Sequence, residues 1–269
     1  MNIVEMYFSP TGTTKRAVGI FSNALGEVLG AKPPQEMDFT SKKSRESDYA
    51  FSSEDLVVLG VPVYAGRVPN VLKEFLARIE GGGALGIAIT MFGNRSFDDA
   101  LVELSDIMKE DGFKLIGSGA FVGEHSFSKV LGKGRPEGAD ENQLKEFART
   151  IGEKVKAGNL TAPRHIPGQI PYGPYYTPKN MNGEPVNFLK AKPLTLPTCT
   201  DCKLCVKLCP MDSIDDEDTS LVPGICIKCG ACVKFCPVEA KYFDDPGFLG
   251  HKEQIETAFI KPKENQWFY

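Results

Sequence analysis

Eight cysteines, all between residues 199 and 236 of a 269-residue chain, limit the possible folds more than any other feature. They form two copies of one spacing. Cys199-x2-Cys202-x2-Cys205-x3-Cys209-Pro210 recurs 27 positions later as Cys226-x2-Cys229-x2-Cys232-x3-Cys236-Pro237. The first 198 residues contain no cysteine, which rejects a disulfide framework spread over a secreted domain. A duplicated metal-binding unit is the simplest source of such a pattern.

An iron–sulfur cubane needs four thiolates disposed tetrahedrally, and a C-x2-C-x2-C loop supplies three of them on tightly curving backbone. In the bacterial two-cluster arrangement the fourth is the cysteine before proline in the other copy. That assigns Cys199, Cys202, Cys205 and Cys236 to one cluster and Cys226, Cys229, Cys232 and Cys209 to a second. The competing reading is a pair of four-thiolate zinc sites, but zinc usually takes separated C-x2-C pairs. Over about residues 196–245 the chain resembles the bacterial two-4Fe-4S ferredoxin family. The resemblance implies a compact pseudo-twofold module carrying single electrons at low potential. It also implies a solvated Asp215–Asp218 loop and a Gly230 that lets the backbone approach a sulfide.

Residues 2–157 alternate apolar β-rich runs with helical periods. Strands are predicted at Ile3–Ser9, Gln35–Phe39, Leu56–Val63, Leu85–Phe92 and Lys114–Val122. Helical spacing joins Val71, Leu72, Phe75, Leu76 and Ile79, then Ala100, Leu101, Leu104, Ile107 and Met108, then Leu144, Phe147, Ala148, Ile151 and Val155. Strands alternating with helices imply right-handed crossovers and an α/β, doubly wound parallel sheet covered on both faces.

The first strand runs into Ser9-Pro10-Thr11-Gly12-Thr13-Thr14. A Walker loop would need Gly-Lys-Ser/Thr and a dinucleotide fingerprint three glycines, and both are absent. What remains is a turn with four hydroxyls, backbone access at Gly12 and the amides of a helix start, suited to a single phosphate monoester. Its competing reading is an ordinary threonine-rich helix cap. In an open doubly wound sheet, ligands bind beyond the carboxyl ends of the strands. Two further loops fall on that edge: Pro62-Val63-Tyr64-Ala65-Gly66-Arg67 and Phe92-Gly93-Asn94-Arg95. Tyr64 and Phe92 could stack on a flat ring, and the small residues admit backbone amides to ring heteroatoms.

On these three loops, residues 1–157 resemble the flavodoxin family. The resemblance implies a five-stranded sheet in the order 2-1-3-4-5 and FMN, with its phosphate on Ser9, Thr11, Gly12, Thr13 and Thr14. Its ring would lie between Pro62, Tyr64, Ala65, Gly66 and Arg67 on one side and Phe92, Gly93, Asn94 and Arg95 on the other. The acidic residues that many flavodoxins carry near the ring are missing. The sequence reading therefore expects Arg67 and Arg95 to favour an anionic reduced flavin. His125, after the fifth strand, is the candidate for relaying a proton to the ring or to a substrate.

The chain thus divides into an FMN domain at 1–158, a connector at 159–195, a two-cluster domain at 196–245 and a tail at 246–269. Eight of the 19 prolines fall in 159–198, with Tyr172, Tyr175 and Tyr176, which suits a strap laid on a surface. The only tryptophan, Trp267, is expected to pack across the domain junction. Residues 196–245 hold 5 Lys and Arg against 9 Asp and Glu, a face suited to basic redox partner proteins. No basic domain exists for nucleic acid and no apolar run for a membrane span, so a cytoplasmic protein is expected. As a whole the chain looks like a flavodoxin–ferredoxin fusion of the kind found in anaerobes. Such a fusion would move single electrons between two 4Fe-4S clusters and FMN, within one chain or across a homodimer. The alternative is an FMN reductase of a diffusible quinone, flavin or metal chelate.

Overall fold

The computed structural model describes residues 1–269. Five parallel strands lie in the order β2-β1-β3-β4-β5: β1 (Asn2–Tyr7), β2 (Gln35–Asp38), β3 (Asp55–Pro62), β4 (Leu85–Phe92) and β5 (Lys114–Val122). Alternate side chains point to opposite faces, so neighbouring residues build two separate cores. Ile3, Leu56, Val58 and Ile87 pack beneath α1 (Thr13–Leu29) and α4 (Ala139–Lys156), against Phe21, Phe147 and Ile151. Val4, Val57, Leu59 and Ala88 pack on the other face with Phe75 of α2 (Lys73–Leu76) and with Leu104 and Met108 of α3 (Ala100–Glu110). Every residue of β4 is buried, as expected for a strand covered on both sides.

The expected five-stranded sheet has a sixth strand. The C-terminal β8 (Gln266–Phe268) pairs antiparallel with β5, setting Trp267 opposite Gly119. Its indole stacks on Phe121 with ring centroids 6.1 Å apart and lies 6.3 Å from Phe147. Trp267 therefore covers a sheet edge that would otherwise be open, and it packs on the sheet rather than across a junction. Asn265 locks the same edge, accepting from the Val122 amide at 2.7 Å and donating to Asp140 at 2.8 Å.

Two short antiparallel strands, β6 (Leu194–Thr195) and β7 (Lys241–Tyr242), frame the cysteine segment with α5 (Leu204–Leu208) and α6 (Ala231–Lys234). Its duplication is visible in the backbone. Left-handed residues recur in pairs spaced by the sequence repeat: Asp201 and Lys228, Lys203 and Gly230, Asp212 and Glu239. Beyond it, α7 (Pro246–Ala258) starts on Asp245, whose carboxylate accepts from the Phe248 amide at 2.8 Å. Phe248 sits among Phe243, Phe188 and Phe127, with centroids 4.3, 5.6 and 4.9 Å away, so this helix joins the cysteine segment to the sheet. No helix is long and apolar enough to cross a membrane.

Candidate functional site

A cleft opens at the carboxyl edge of the sheet between the loops after β1, β3, β4 and β5. Its walls include Ser9, Thr11, Thr13, Thr14, Pro62, Tyr64, Phe92 and Gly93, with His125 and Ser126 closing the far side. The turn that forms its floor is not an ordinary helix cap. α1 begins after Gly12 at φ 80°, a conformation suited to glycine, and Gly12 has no side chain of its own to cap it. The Ser9 hydroxyl accepts the Lys15 amide at 2.9 Å, which leaves its own proton to donate. Thr11, Thr13 and Thr14 cap no amide of the first turn, so with Ser9 their hydroxyls line the cleft at the positive end of a helix.

Other residues of the sequence-predicted ring loops face elsewhere. Arg67 turns away from the cleft and forms a fork on Glu103 of α3 with two bonds of 2.7 Å. Tyr172 and Tyr175 cover its guanidinium at 4.8 and 5.3 Å. Arg95 pairs with Asp98 and stacks on Tyr176 at 4.3 Å. Both guanidiniums are thus paired with carboxylates, and neither lines the cleft. Asn94 donates to the Phe259 and Lys261 carbonyls at 2.7 and 3.0 Å and accepts from the Lys263 amide at 2.9 Å, so its amide group anchors the tail. Gly12, Ala65 and Gly66 shape their turns without lining the cleft; Ala65 instead accepts the Tyr176 amide at 2.8 Å.

The connector is a strap fastened by its expected tyrosines and by Asp99 and Asp106, which no motif marked. Asp99 accepts the amides of Gln169 and Gly173, each at 2.8 Å. The Tyr172 hydroxyl donates to Asp106 at 2.8 Å and that of Tyr175 to the Val68 carbonyl at 3.0 Å. The strap therefore holds the β3 loop in place.

His125 lies against Gly93, where a Cβ would stand 2.3 Å from the imidazole Cδ2. Burial, aided by the nearby Lys234, pushes its pKa down to about 3. The Phe127 amide donates to Nδ1 at 3.4 Å, so the ring is neutral near pH 7 with its proton on Nε2. The ring lines the cleft, and with Nδ1 taken by the Phe127 amide only its Nε2 side is left to meet a bound molecule.

The cysteines gather as two sets of four. Cys199, Cys202, Cys205 and Cys236 surround one cavity, and Cys209, Cys226, Cys229 and Cys232 surround another. In each set the fourth thiol comes from the other repeat. Paired amide contacts repeat too: Ser213 donates to the Cys209 sulfur at 3.3 Å and Ala240 to that of Cys236 at 3.1 Å. No three cysteines converge closely enough to hold a single ion. One zinc ion would need its four sulfurs about 2.3 Å away, whereas sulfurs spread around a cavity suit a larger cubane. Burial pushes the Cys229 thiol up to about 12 and raises Cys226 and Cys232, a cost that bound iron would relieve by holding the thiolates. Lys241, itself buried, donates to Thr195 at 2.7 Å and sits within Coulombic reach of Cys205, Cys232 and Cys236.

The second set abuts the cleft. Tyr64 packs in the same core as Ile227, which lies between Cys226 and Cys229. Burial, then the charges of Cys229 and Cys226, holds the Tyr64 phenol well above its ordinary range. Gly230 sits against Ser126, where a Cβ would stand 2.5 Å from the carbonyl oxygen. The bare face of Gly230 admits the wall of the cleft. Lys234 completes the contact with an ion pair to Glu124.

The family model of the 4Fe-4S dicluster domain matches residues 194–237. No curated protein matches the chain. Among solved structures, an archaeal flavodoxin is 18% identical at a TM-score of 0.41, covering 58% of this chain and 99% of its own. A flavodoxin of Streptococcus pneumonia is 18% identical at a TM-score of 0.40, covering 58% and 100%. The rubredoxin:oxygen oxidoreductase of Desulfovibrio gigas is 21% identical at 0.41, covering 58% of this chain and 36% of its own. The observed strand order is the flavodoxin-like one, so the chain joins a flavodoxin-like sheet to a 4Fe-4S dicluster domain.

Proposed function

We propose that this fusion is an electron-transfer flavoprotein that passes single electrons between two 4Fe-4S clusters and an FMN in the cleft. One observation carries the reading: two four-cysteine cavities and a hydroxyl-floored cleft at a sheet edge share one chain, and one cavity touches the cleft wall. Ser9, Thr11, Thr13 and Thr14, with the first-turn amides of α1, would hold the terminal phosphate. Tyr64 and Phe92 would bracket the ring, and the neutral His125 would donate from Nε2 while excluding water. When bound, the clusters carry one electron each and the FMN takes one or two, which couples single-electron donors to two-electron chemistry.

A specific observation keeps the reductase reading as the second one. A cleft of about 1020 Å³ adjoins Thr11 and Thr13 and is lined by Phe127, Phe243 and Phe248 together with Cys236. It is large enough for a flat diffusible acceptor. Of the residues that could bound such an acceptor beside the ring, Tyr64, Phe92 and His125 line the first cleft, while Arg67 and Arg95 are engaged by their own carboxylate and tyrosine partners.

Anaerobic purification with iron, sulfide and FMN counted tests the proposal. The expected result is one FMN and two clusters per chain, with the flavin bleaching after the clusters in a stopped-flow trace. Zinc in place of iron, or no flavin retained after reconstitution, would sink it.

A further inference from the structure

We infer that the two clusters have different stations: the set of Cys209, Cys226, Cys229 and Cys232 exchanges electrons with the cleft by way of Tyr64, while the set of Cys199, Cys202, Cys205 and Cys236 is the outer relay. This rests on the reading that the cleft holds FMN. The fourth-ligand exchange makes the two sets nearly equivalent by sequence, so only their surroundings can rank them. Three contacts do so, and all belong to the same set.

Ile227, inside the Cys226–Cys232 loop, and Tyr64 both pack, partly buried, against the same face of the sheet; Tyr64 feels the charges of Cys229 and Cys226 and forms a wall of the cleft. Gly230, in the same loop, lies directly on Ser126, another wall residue. Arg45 reaches from the sheet domain to the Pro210 carbonyl at 2.5 Å, next to Cys209. The corresponding residues of the other copy face outward. Cys202 is exposed, whereas its counterpart Cys229 is buried. Lys203, the counterpart of Gly230, reaches over Asp201 and the 216–217 backbone rather than over the sheet domain.

An electron from an external one-electron donor protein would reduce the outer cluster and pass to the inner one, which is reoxidised as the cofactor gains that electron. A second pass, with protons drawn from solvent, completes the two-electron reduction. Tyr64 needs no change of protonation in this path. It is a positioning residue that closes the gap between the inner thiolates and the cleft.

The test compares Cys232→Ala and Cys202→Ala variants, each with iron and FMN counted. It is read in two ways: flavin bleaching after rapid mixing with a small reductant, and paramagnetic broadening of the Tyr64 and Ser126 amide resonances. Loss of the inner cluster should slow bleaching by an order of magnitude or more and sharpen both amides. Loss of the outer cluster should leave both nearly as in wild type. Gly230→Ala keeps all eight ligands, forces the loop off Ser126, and should slow bleaching with both clusters present. The inference is overturned if the outer variant loses transfer and the inner one keeps it, or if the amides sharpen with the outer cluster. Protein that binds clusters but no FMN would defeat the flavin reading alone, because the broadening still ranks the clusters.

Discussion

The Arg45 guanidinium donates to the Pro210 carbonyl at 2.5 Å while its other nitrogen donates to the Phe39 and Thr40 carbonyls at 3.1 and 2.5 Å. The side chain is buried, lies over the Phe8 ring at 5.4 Å, and pins the peptide beside Cys209 to the sheet domain. Burial lowers its pKa, but a guanidinium keeps its charge, so all three carbonyls depend on it. Arg45→Met should leave them unpaired and cost about 2–3 kcal/mol. The measurable outcome is faster hydrogen exchange at residues 209–214 and earlier loss of iron on dilution, with β1 and β3 protected as before.

Arg67 and Glu103 form a buried pair, with Lys73 adding a bond of 2.8 Å and the Val68 amide one of 2.9 Å. Desolvation would raise the Glu103 carboxyl, but these donors win and hold it below its ordinary value. Removing only the arginine takes two of the four donors from a buried carboxylate, so Arg67→Met should destabilise by about 2 kcal/mol, while adding Glu103→Gln should recover part of that loss. Urea midpoints for the two single variants and the double variant check this. Equal costs for Arg67→Met alone and combined with Glu103→Gln would contradict it.

The parts of this fold that were legible in the sequence are those written as a period or a spacing. Strand alternation gave the five parallel strands, and the repeated cysteine interval gave the two sets that now surround two cavities. Direction within a loop is not written that way. Arg67, Asn94 and Arg95 sit on the expected loops, yet their partners lie on α3, the tail and the strap. One of these was readable: Glu103 stands on the same helical stripe as Ala100, Leu104 and Ile107, and an acid there needs a buried cation. The start of α7 was readable too, since Asp245-Pro246 is a cap followed by proline in the first turn. β8 was not, because three residues carry no period and their place depends on the open edge of β5.

Lys241 places one positive charge close to thiols of both sets, opposing the raising effect of burial on Cys205 and Cys232. A fixed positive charge stabilises the more negative, reduced state of a cluster. Lys241→Met should therefore shift both cluster potentials downward, by on the order of tens of millivolts at an effective dielectric of about 20. A redox titration followed by EPR reads this directly. An unchanged pair of potentials would mean that the charge is fully screened.

Asp111 closes α3, and its Oδ2 is buried with no hydrogen-bond partner. Burial, then the neighbouring Glu110, pushes its pKa up to about 7, and the negative end of the helix dipole acts in the same direction. A raised acid binds its proton more tightly folded than unfolded, so the folded state loses stability as pH climbs from about 4 to about 7. Above that window the loss is complete and constant. Asp111→Asn removes the titration, so the variant should gain on wild type through that range and stay ahead by about 1–2 kcal/mol at pH 8, after allowance for partial solvent access. Urea midpoints at pH 5, 6, 7 and 8 give the profile. A gap that is already full at pH 5, or that shrinks as pH rises, would show that the Asp111 carboxyl is ionised throughout and finds its partner in water.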